Sequence, residues 1–186
     1  MEAYDEKKIG AILSWTGENL VRRYGDEEVI KFSRFSGIFR RSFKDRPASD
    51  ITIAQKFFGD CMVPARVVQK GTLRAIVQPF VHGRLLEKKD LLNPHVYQQY
   101  QGIMQMHQTM IEAGHAPLDL AGALGLLRGQ LDNLFLLNDG SVKIIDTLLI
   151  DVRGLGLLGK LLKPLASLVI LWQNCIIHSY SMYRSR

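Results

Sequence analysis

Residues 131–147 read LDNLFLLNDGSVKIIDT, and this stretch decides the fold assignment. Two apolar runs, Leu134–Leu137 and Val142–Ile145, flank an Asn-Asp-Gly turn, which is a strong signal for a β-hairpin. Asn133 precedes the first run and Asp146 follows the second, so the hairpin would hold an amide beside a carboxylate at its open end. Hard oxygen ligands of this kind suit Mg²⁺, which completes its shell with water and nucleotide phosphates.

The composition is that of a folded, basic protein. Of the 186 residues, 47% are hydrophobic and 23% are charged, which excludes the disordered class. The formal net charge of +6 suits phosphates, nucleic acid or an anionic membrane, and equally an ordinary soluble surface. Because aromatic and basic residues do not interleave as stacking platforms require, no nucleic-acid partner is expected.

Cysteine usage and the first residues indicate the compartment. Cys61 and Cys175 lack metal-site spacing and form no disulfide framework, so a reducing compartment is expected. The opening MEAYDEKKIG is charged and has no apolar signal-peptide run. We therefore expect a cytoplasmic protein, with peripheral contact at the inner membrane as an open alternative.

That alternative depends on the apolar segment near the C-terminus. Leu155–Ile177 is apolar but is interrupted by two lysines, a glutamine and an asparagine. Its uncharged part, Pro164–Ile177, is shorter than the roughly 20 residues that a spanning helix needs, and Pro164 suits a first helical turn. A core helix is favoured, while a membrane-surface helix and a true span remain alternatives.

The order of the remaining patterns indicates an α+β protein with two units. An antiparallel sheet with one helix would occupy residues 1–80, and a mainly helical unit would occupy residues 81–186, with the boundary at the polar crossing Pro79–Gly83. The segment from Ser33 to Ala48 is predicted to be an irregular or partly helical connector. The predicted elements are a hairpin of Leu20–Arg23 and Glu28–Phe32, a helix Ile51–Phe58 capped by residues 48–50, a hairpin of Ala65–Gln69 and Leu73–Gln78, a short amphipathic stretch Leu85–Leu92, a long helix Pro94–Ala113, an ambiguous segment Ala116–Arg128, and the quoted hairpin.

The quoted stretch resembles the metal-site segment of the protein-kinase-like superfamily, which includes small bacterial kinases. The family pattern is D-x-x-x-x-N, a short hairpin, and an Asp that opens D-F-G. Asn133 matches the metal-binding Asn, and Asp146 matches the metal-binding Asp, here in Asp146-Thr147-Leu148. The resemblance implies a two-lobed fold, with an antiparallel-sheet N-lobe and a compact, truncated helical C-lobe, and it implies ATP and Mg²⁺ as cofactors.

The upstream sequence extends the resemblance. By it, Gly17 would belong to the loop that covers the phosphates, and Lys31 in Val29-Ile30-Lys31 would contact the phosphates. Asp50 is the nearest candidate for the acid that pairs with this lysine, and Ile76–Val81 resembles the strand that leads into the adenine-binding hinge. Without the resemblance, Lys31 would be an ordinary snorkelling or exposed charge at the end of an apolar strand.

The catalytic base departs from the family pattern. Five residues before Asn133 stands Arg128, which stays protonated and cannot act as a base. In one interpretation a longer loop supplies the base, which would be Asp119, with His115 nearby and Ala121–Gln130 as an insertion. In the other the base is absent, and the cleft only binds nucleotide or keeps its shape.

The resemblance therefore implies an ATP- and Mg²⁺-dependent phosphotransferase, whose acceptor is a sugar, a lipopolysaccharide core or a protein. Only residues 147–186 follow the metal-site Asp, which leaves little room for a peptide platform and favours a small-molecule or lipid-linked acceptor. The alternative is a catalytically impaired pseudokinase, which acts as a regulatory module that binds nucleotide or a partner.

Overall fold

A computed structural model describes residues 2–15, 19–33, 46–152 and 156–185. Gly17 and most of the predicted connector lie outside these residues. The described part is α+β, as predicted, with a five-stranded antiparallel sheet of order β1-β2-β3-β5-β4, a three-stranded sheet of order β6-β7-β8, and four α-helices. The strands are β1 Ile9–Trp15, β2 Asn19–Tyr24, β3 Glu28–Ser33, β4 Arg66–Lys70, β5 Leu73–Pro79, β6 Gly83–Leu85, β7 Leu134–Leu137 and β8 Val142–Ile144, and the helices are α1 Arg46–Phe58, α2 Pro94–Glu112, α3 Ala123–Arg128 and α4 Gly156–Ser181.

The five-stranded sheet places Lys31 on the face opposite its own small core. In β3, Ile30 pairs with Val77 of β5, and both are fully buried in a cluster with Tyr4 and Tyr24. Because side chains alternate between the two faces of a strand, the next residue, Lys31, points to the other face. Both predicted hairpins of this sheet are confirmed, whereas β1 was not predicted.

The main core forms where α1 packs against α2. The α2 helix begins at Pro94 behind Asn93, whose side chain accepts a hydrogen bond from the His95 N–H and so caps the helix. The buried residues of α2 recur at helical spacing, and they are Val96, Tyr100, Ile103, His107 and Met110. The buried α1 residues Ile51, Ala54 and Phe58 belong to the same core.

The start of α1 differs from the prediction. The helix begins at Arg46, so residues 48–50 lie inside it and do not cap it. Pro47 falls in the first turn, where its fixed φ angle and missing N–H suit a helix. Asp50 is therefore a buried residue in the body of α1.

The quoted hairpin is confirmed as β7 and β8, and a third strand, β6, joins it. Gly140 has a φ of 82° in the turn, and the Asp139 side chain accepts a hydrogen bond from the Ser141 N–H. In β6, a Cβ at Gly83 would collide with the Leu136 carbonyl oxygen. Glycine therefore allows this close pairing, and β6 went unpredicted because three residues show no clear alternation.

The C-terminal helix α4 is longer than predicted and contains Pro164 in its interior, so the placement of Pro164 in a first turn was wrong. Gly159, Gln173, Ile176 and Tyr180 are buried along one side, while several leucines on another side are exposed. Only 11% of the most apolar 18-residue stretch of α4 is buried. The helix was expected to lie in the core, but only one of its sides does so. Its length and composition would allow it to cross a membrane, a test that core helices of soluble proteins also pass.

Candidate functional site

A cleft of about 450 Å³ lies between the five-stranded sheet and the segment that carries α3, β7 and β8. Lys31 and Gln78 contribute from the sheet side. Asn133 and Asp146, the two ends of the hairpin, line the same cleft. Three of the residues singled out in the sequence therefore share one cavity, although Lys31 is more than 100 positions away from the other two.

A single residue, Ile145, connects the three. The Lys31 ammonium donates a hydrogen bond to the Ile145 carbonyl oxygen at 2.5 Å. The Ile145 N–H donates to the Asn133 carbonyl oxygen at 3.0 Å. Since Asp146 is the next residue, the Lys31 ammonium and the main chain of Asn133 and Asp146 meet at Ile145.

The loop between Asp119 and Asn133 folds out and back. The Asp132 N–H donates to the Ala121 carbonyl oxygen at 2.9 Å, and the Asn133 N–H donates to the Leu120 carbonyl oxygen at 3.1 Å. The Asn133 side-chain N–H₂ then donates to the Asp119 carbonyl oxygen at 2.6 Å. The Asp119 main chain and the Asn133 side chain are thus in contact although 14 positions separate the two residues. Asp119 itself is not among the residues that line the cleft.

Asp119 lies in an environment that disfavours its charge. The residue is 8% exposed, and burial, the largest influence, raises the pKa of its carboxyl to about 6. A hydrogen bond of 2.8 Å from the Gly122 N–H acts in the opposite direction, while the charge of Asp146 raises the pKa further. A carboxylate with a pKa near the working pH is suited to accept and release a proton.

Two buried polar residues that sequence reasoning missed hold the Asp119 segment in place. The Leu118 N–H donates to His107 Nε2 at 3.0 Å, and burial lowers the pKa of this histidine to about 4. Gln173 of α4 accepts from the Leu120 N–H at 2.9 Å and donates to the Leu118 carbonyl oxygen at 2.9 Å. The signal for Gln173 was present in the sequence, where it interrupts an apolar run at a position that the helix buries.

Asp50 is placed beside the end of the metal-site segment. Its carboxylate accepts a hydrogen bond of 3.3 Å from the Leu149 N–H. Among the described residues, no ion pair joins Asp50 to Lys31, whose ammonium contacts Ile145 instead. The pairing of Asp50 with Lys31, inferred from the resemblance, stays a prediction.

Arg128 and Asp132 also line the cleft. Burial raises the pKa of the Asp132 carboxyl, and the nearby positive charge of Arg128 partly opposes this effect. Within the described part of the chain, Asp132 Oδ1 is buried and receives no hydrogen bond. An unsatisfied buried carboxylate oxygen is unfavourable, and such groups in folded proteins call for a functional explanation.

The donor set at the hairpin end fits Mg²⁺ bound together with phosphates. No group of three His, Cys, Asp or Glu side chains within the described residues could hold a metal by itself. Mg²⁺ does not need such a cage, because it takes one or two protein oxygens and completes its shell with water and phosphates. The Asn133 amide and the Asp146 carboxylate, which line one cleft beside the Lys31 ammonium, provide that minimum.

Comparisons with known proteins support the fold alone. The chain matches no protein-family model and no curated protein sequence. Among solved structures it is similar to "PpkA-294 apo form", a bacterial serine/threonine kinase, with a TM-score of 0.52 and 12% sequence identity. The match covers 79% of this chain and 60% of that one, so this chain spans less than two thirds of the solved kinase. At this identity the similarity supports a kinase-like fold and carries no information on activity.

Proposed function

We propose that this chain is a two-lobed, kinase-like phosphotransferase that binds ATP with Mg²⁺ in the cleft and transfers the terminal phosphoryl group to an acceptor hydroxyl. The observation that carries the proposal is the pair of hydrogen bonds at Ile145, which draws Lys31, Asn133 and Asp146 together from two different sheets. The similarity to a solved bacterial kinase supports the kinase-like fold that this proposal requires.

Each residue has a role that follows from its chemistry. The Lys31 ammonium is the cation that would leave Ile145 and bind the phosphate oxygens of ATP. The Asn133 amide oxygen and the Asp146 carboxylate would hold Mg²⁺, which when bound neutralises phosphate charge. The oxygen of the acceptor hydroxyl would bond to the γ-phosphorus, and the bond between this phosphorus and ADP would break. Asp119 would accept the proton that the hydroxyl loses. Its raised pKa, about 6, suits this transfer near neutral pH.

The acceptor follows from the resemblance to small bacterial kinases. We propose a small or lipid-linked hydroxyl compound, such as a sugar or a lipopolysaccharide core, modified on the cytoplasmic side. A protein acceptor is the alternative, and direct assays with each class of acceptor distinguish them.

Thermal unfolding with ATP, in the presence and absence of Mg²⁺, tests the nucleotide site. A ligand at 100 times its Kd stabilises the folded state by about 2.7 kcal/mol. For a chain of this length that corresponds to a rise in Tm of roughly 5–10 °C. We expect the Mg²⁺-dependent part of the rise to disappear in Asp146→Asn, and the whole rise to shrink in Lys31→Met.

Two matched controls separate binding from general effects of substitution. Lys143 also donates to a backbone carbonyl, that of Asp60, but lies outside the cleft, so Lys143→Met should keep the full shift. Asp139 is an exposed carboxylate in the turn of the same hairpin, so Asp139→Asn should keep it too. The proposal fails if wild-type protein shows no shift with ATP and Mg²⁺, or if the controls lose the shift as strongly as the cleft variants.

A specific observation favours a second candidate, a pseudokinase that binds nucleotide without turnover. Arg128, which occupies the sequence position of the family's base, lines the cleft and places a permanent positive charge there. Under this candidate the thermal shift persists, whereas phosphate transfer and ATP hydrolysis are absent. Detectable turnover that Asp119→Asn reduces would exclude it.

A further inference from the structure

We propose that α4 docks on an anionic lipid surface through an exposed apolar stripe, here called the leucine face. Its residues recur at helical spacing, and their exposed fractions are 76% for Leu157, 71% for Leu161, 58% for Leu165, 62% for Leu168 and 54% for Trp172. A row of large apolar side chains this exposed is unusual on an isolated soluble protein and marks an interaction surface.

The opposite side of α4 is fixed to the rest of the protein. Gln173 is fully buried and bonds to the backbone of residues 118, 120 and 121. The Tyr100 hydroxyl donates to the Ile177 carbonyl oxygen at 2.9 Å. A helix that crossed a bilayer would have to break these contacts, so the helix would lie along the surface with only its leucine face inserted.

The charge of α4 selects an anionic surface. Lys160 and Lys163 are exposed on α4, and residues 156–181 contain no Asp or Glu. At about 100° per residue, Lys160 borders the leucine face, whereas Lys163 points away from it. Basic residues next to an inserted apolar stripe bind acidic headgroups, each strengthening binding by about fivefold. A second copy of the chain would instead oppose two basic helices, and it offers no acidic side chain on α4 to compensate.

The leucine face continues onto α3, which also borders the cleft. The Trp172 indole N–H donates to the Leu126 carbonyl oxygen at 2.7 Å, and the next residue, Leu127, is 83% exposed. Ala123, Leu124 and Arg128 of the same short helix line the cleft. A bound lipid surface would therefore lie about one helix diameter, roughly 10 Å, from the cleft. An amphiphilic molecule is long enough to remain in the lipid surface and reach the cleft at the same time.

Vesicle co-sedimentation of the full chain tests the proposal, with phosphatidylcholine vesicles that contain or lack about one third phosphatidylglycerol. We expect binding to the anionic vesicles. The double variant Leu161→Gln/Leu168→Gln should bind at least about tenfold more weakly. Lys160→Gln should lose about fivefold on anionic vesicles only, and Lys163→Gln should lose less. The control Ile12→Gln/Leu73→Gln removes two residues of similar exposure, 51% and 50%, from the five-stranded sheet and should bind like wild type.

Two further measurements show whether α4 contacts the lipid and whether each variant is folded. In a Trp15→Phe background, Trp172 emission should shift to shorter wavelength with anionic vesicles, and circular dichroism should show that every variant is folded. The proposal is overturned if the protein does not bind anionic vesicles or binds neutral vesicles equally well. It is also overturned if vesicle-bound protein resists alkaline extraction, as a spanning helix would, or if the protein forms an oligomer that Leu161→Gln/Leu168→Gln disperses. Binding should persist in Asp146→Asn, so this test and the nucleotide test can fail separately.

Discussion

Replacing Asp119 by Asn should make the protein more stable at neutral pH and less active. The folded pKa of Asp119 is about 6 and the ordinary value is 3.8, so the folded state holds the proton more tightly than the unfolded chain does. Stability is therefore lost as pH rises between these values, and the loss reaches about 3 kcal/mol at pH 7.5 but only about 1 kcal/mol at pH 4.5. The neutral amide avoids this loss and can still accept the Gly122 N–H bond.

Urea unfolding at pH 4.5 and pH 7.5, followed by circular dichroism, measures the difference. Asp119→Asn should gain up to about 3 kcal/mol at the higher pH and about a third of that at the lower one. Turnover should fall by about 10²–10⁴ if Asp119 is the base. Asp139→Asn is the control, because hydrogen bonds from Ser141 lower the pKa of Asp139, and it should gain nothing. An equal gain at both pH values, or no gain, would refute the assignment of a buried, pKa-raised carboxyl.

The polar contacts behind the Asp119 segment give two more predictions. His107 has a folded pKa of about 4, below the ordinary 6.5, so wild type should lose up to about 3 kcal/mol as pH falls through this window. The His107→Gln variant keeps an acceptor for the Leu118 N–H and does not titrate, so its free energy of unfolding in urea should depend less on pH than that of wild type. An equal pH dependence in the variant and wild type would contradict the prediction. Gln173→Leu leaves buried backbone groups unpaired and should cost about 2–4 kcal/mol in the same assay, whereas the exposed Asn174→Leu should stay within about 0.5 kcal/mol. Equal losses in the two variants would show that Gln173 is not an anchor.

Local patterns predicted the elements that frame the site. The Asp-Gly turn fixed the β7–β8 hairpin, and therefore placed Asn133 and Asp146 side by side, because hairpin ends meet wherever the turn is tight. The spacing of apolar residues predicted α2 in the same way. The α+β class followed from the order of these elements.

What the sequence could not provide depends on tertiary contacts. The β1 strand is an edge strand with register shifts and exposed side chains, so it has no buried alternation to detect. Whether Asp119 reaches Asn133 depends on how residues 120–132 fold back, which neither end of the loop encodes alone. An apolar helix pattern also does not say which side is covered, so α4 was expected in the core although its leucine face is exposed.

The most direct test of the central claim is a crystal structure with a non-hydrolysable ATP analogue and Mn²⁺ in place of Mg²⁺. The account predicts an anomalous manganese peak within about 2.2 Å of both the Asn133 amide oxygen and an Asp146 carboxylate oxygen. It also predicts that the Lys31 ammonium lies on the phosphates and no longer on the Ile145 carbonyl. A nucleotide bound elsewhere, or a cleft that stays empty at saturating analogue with Lys31 still on Ile145, would contradict it.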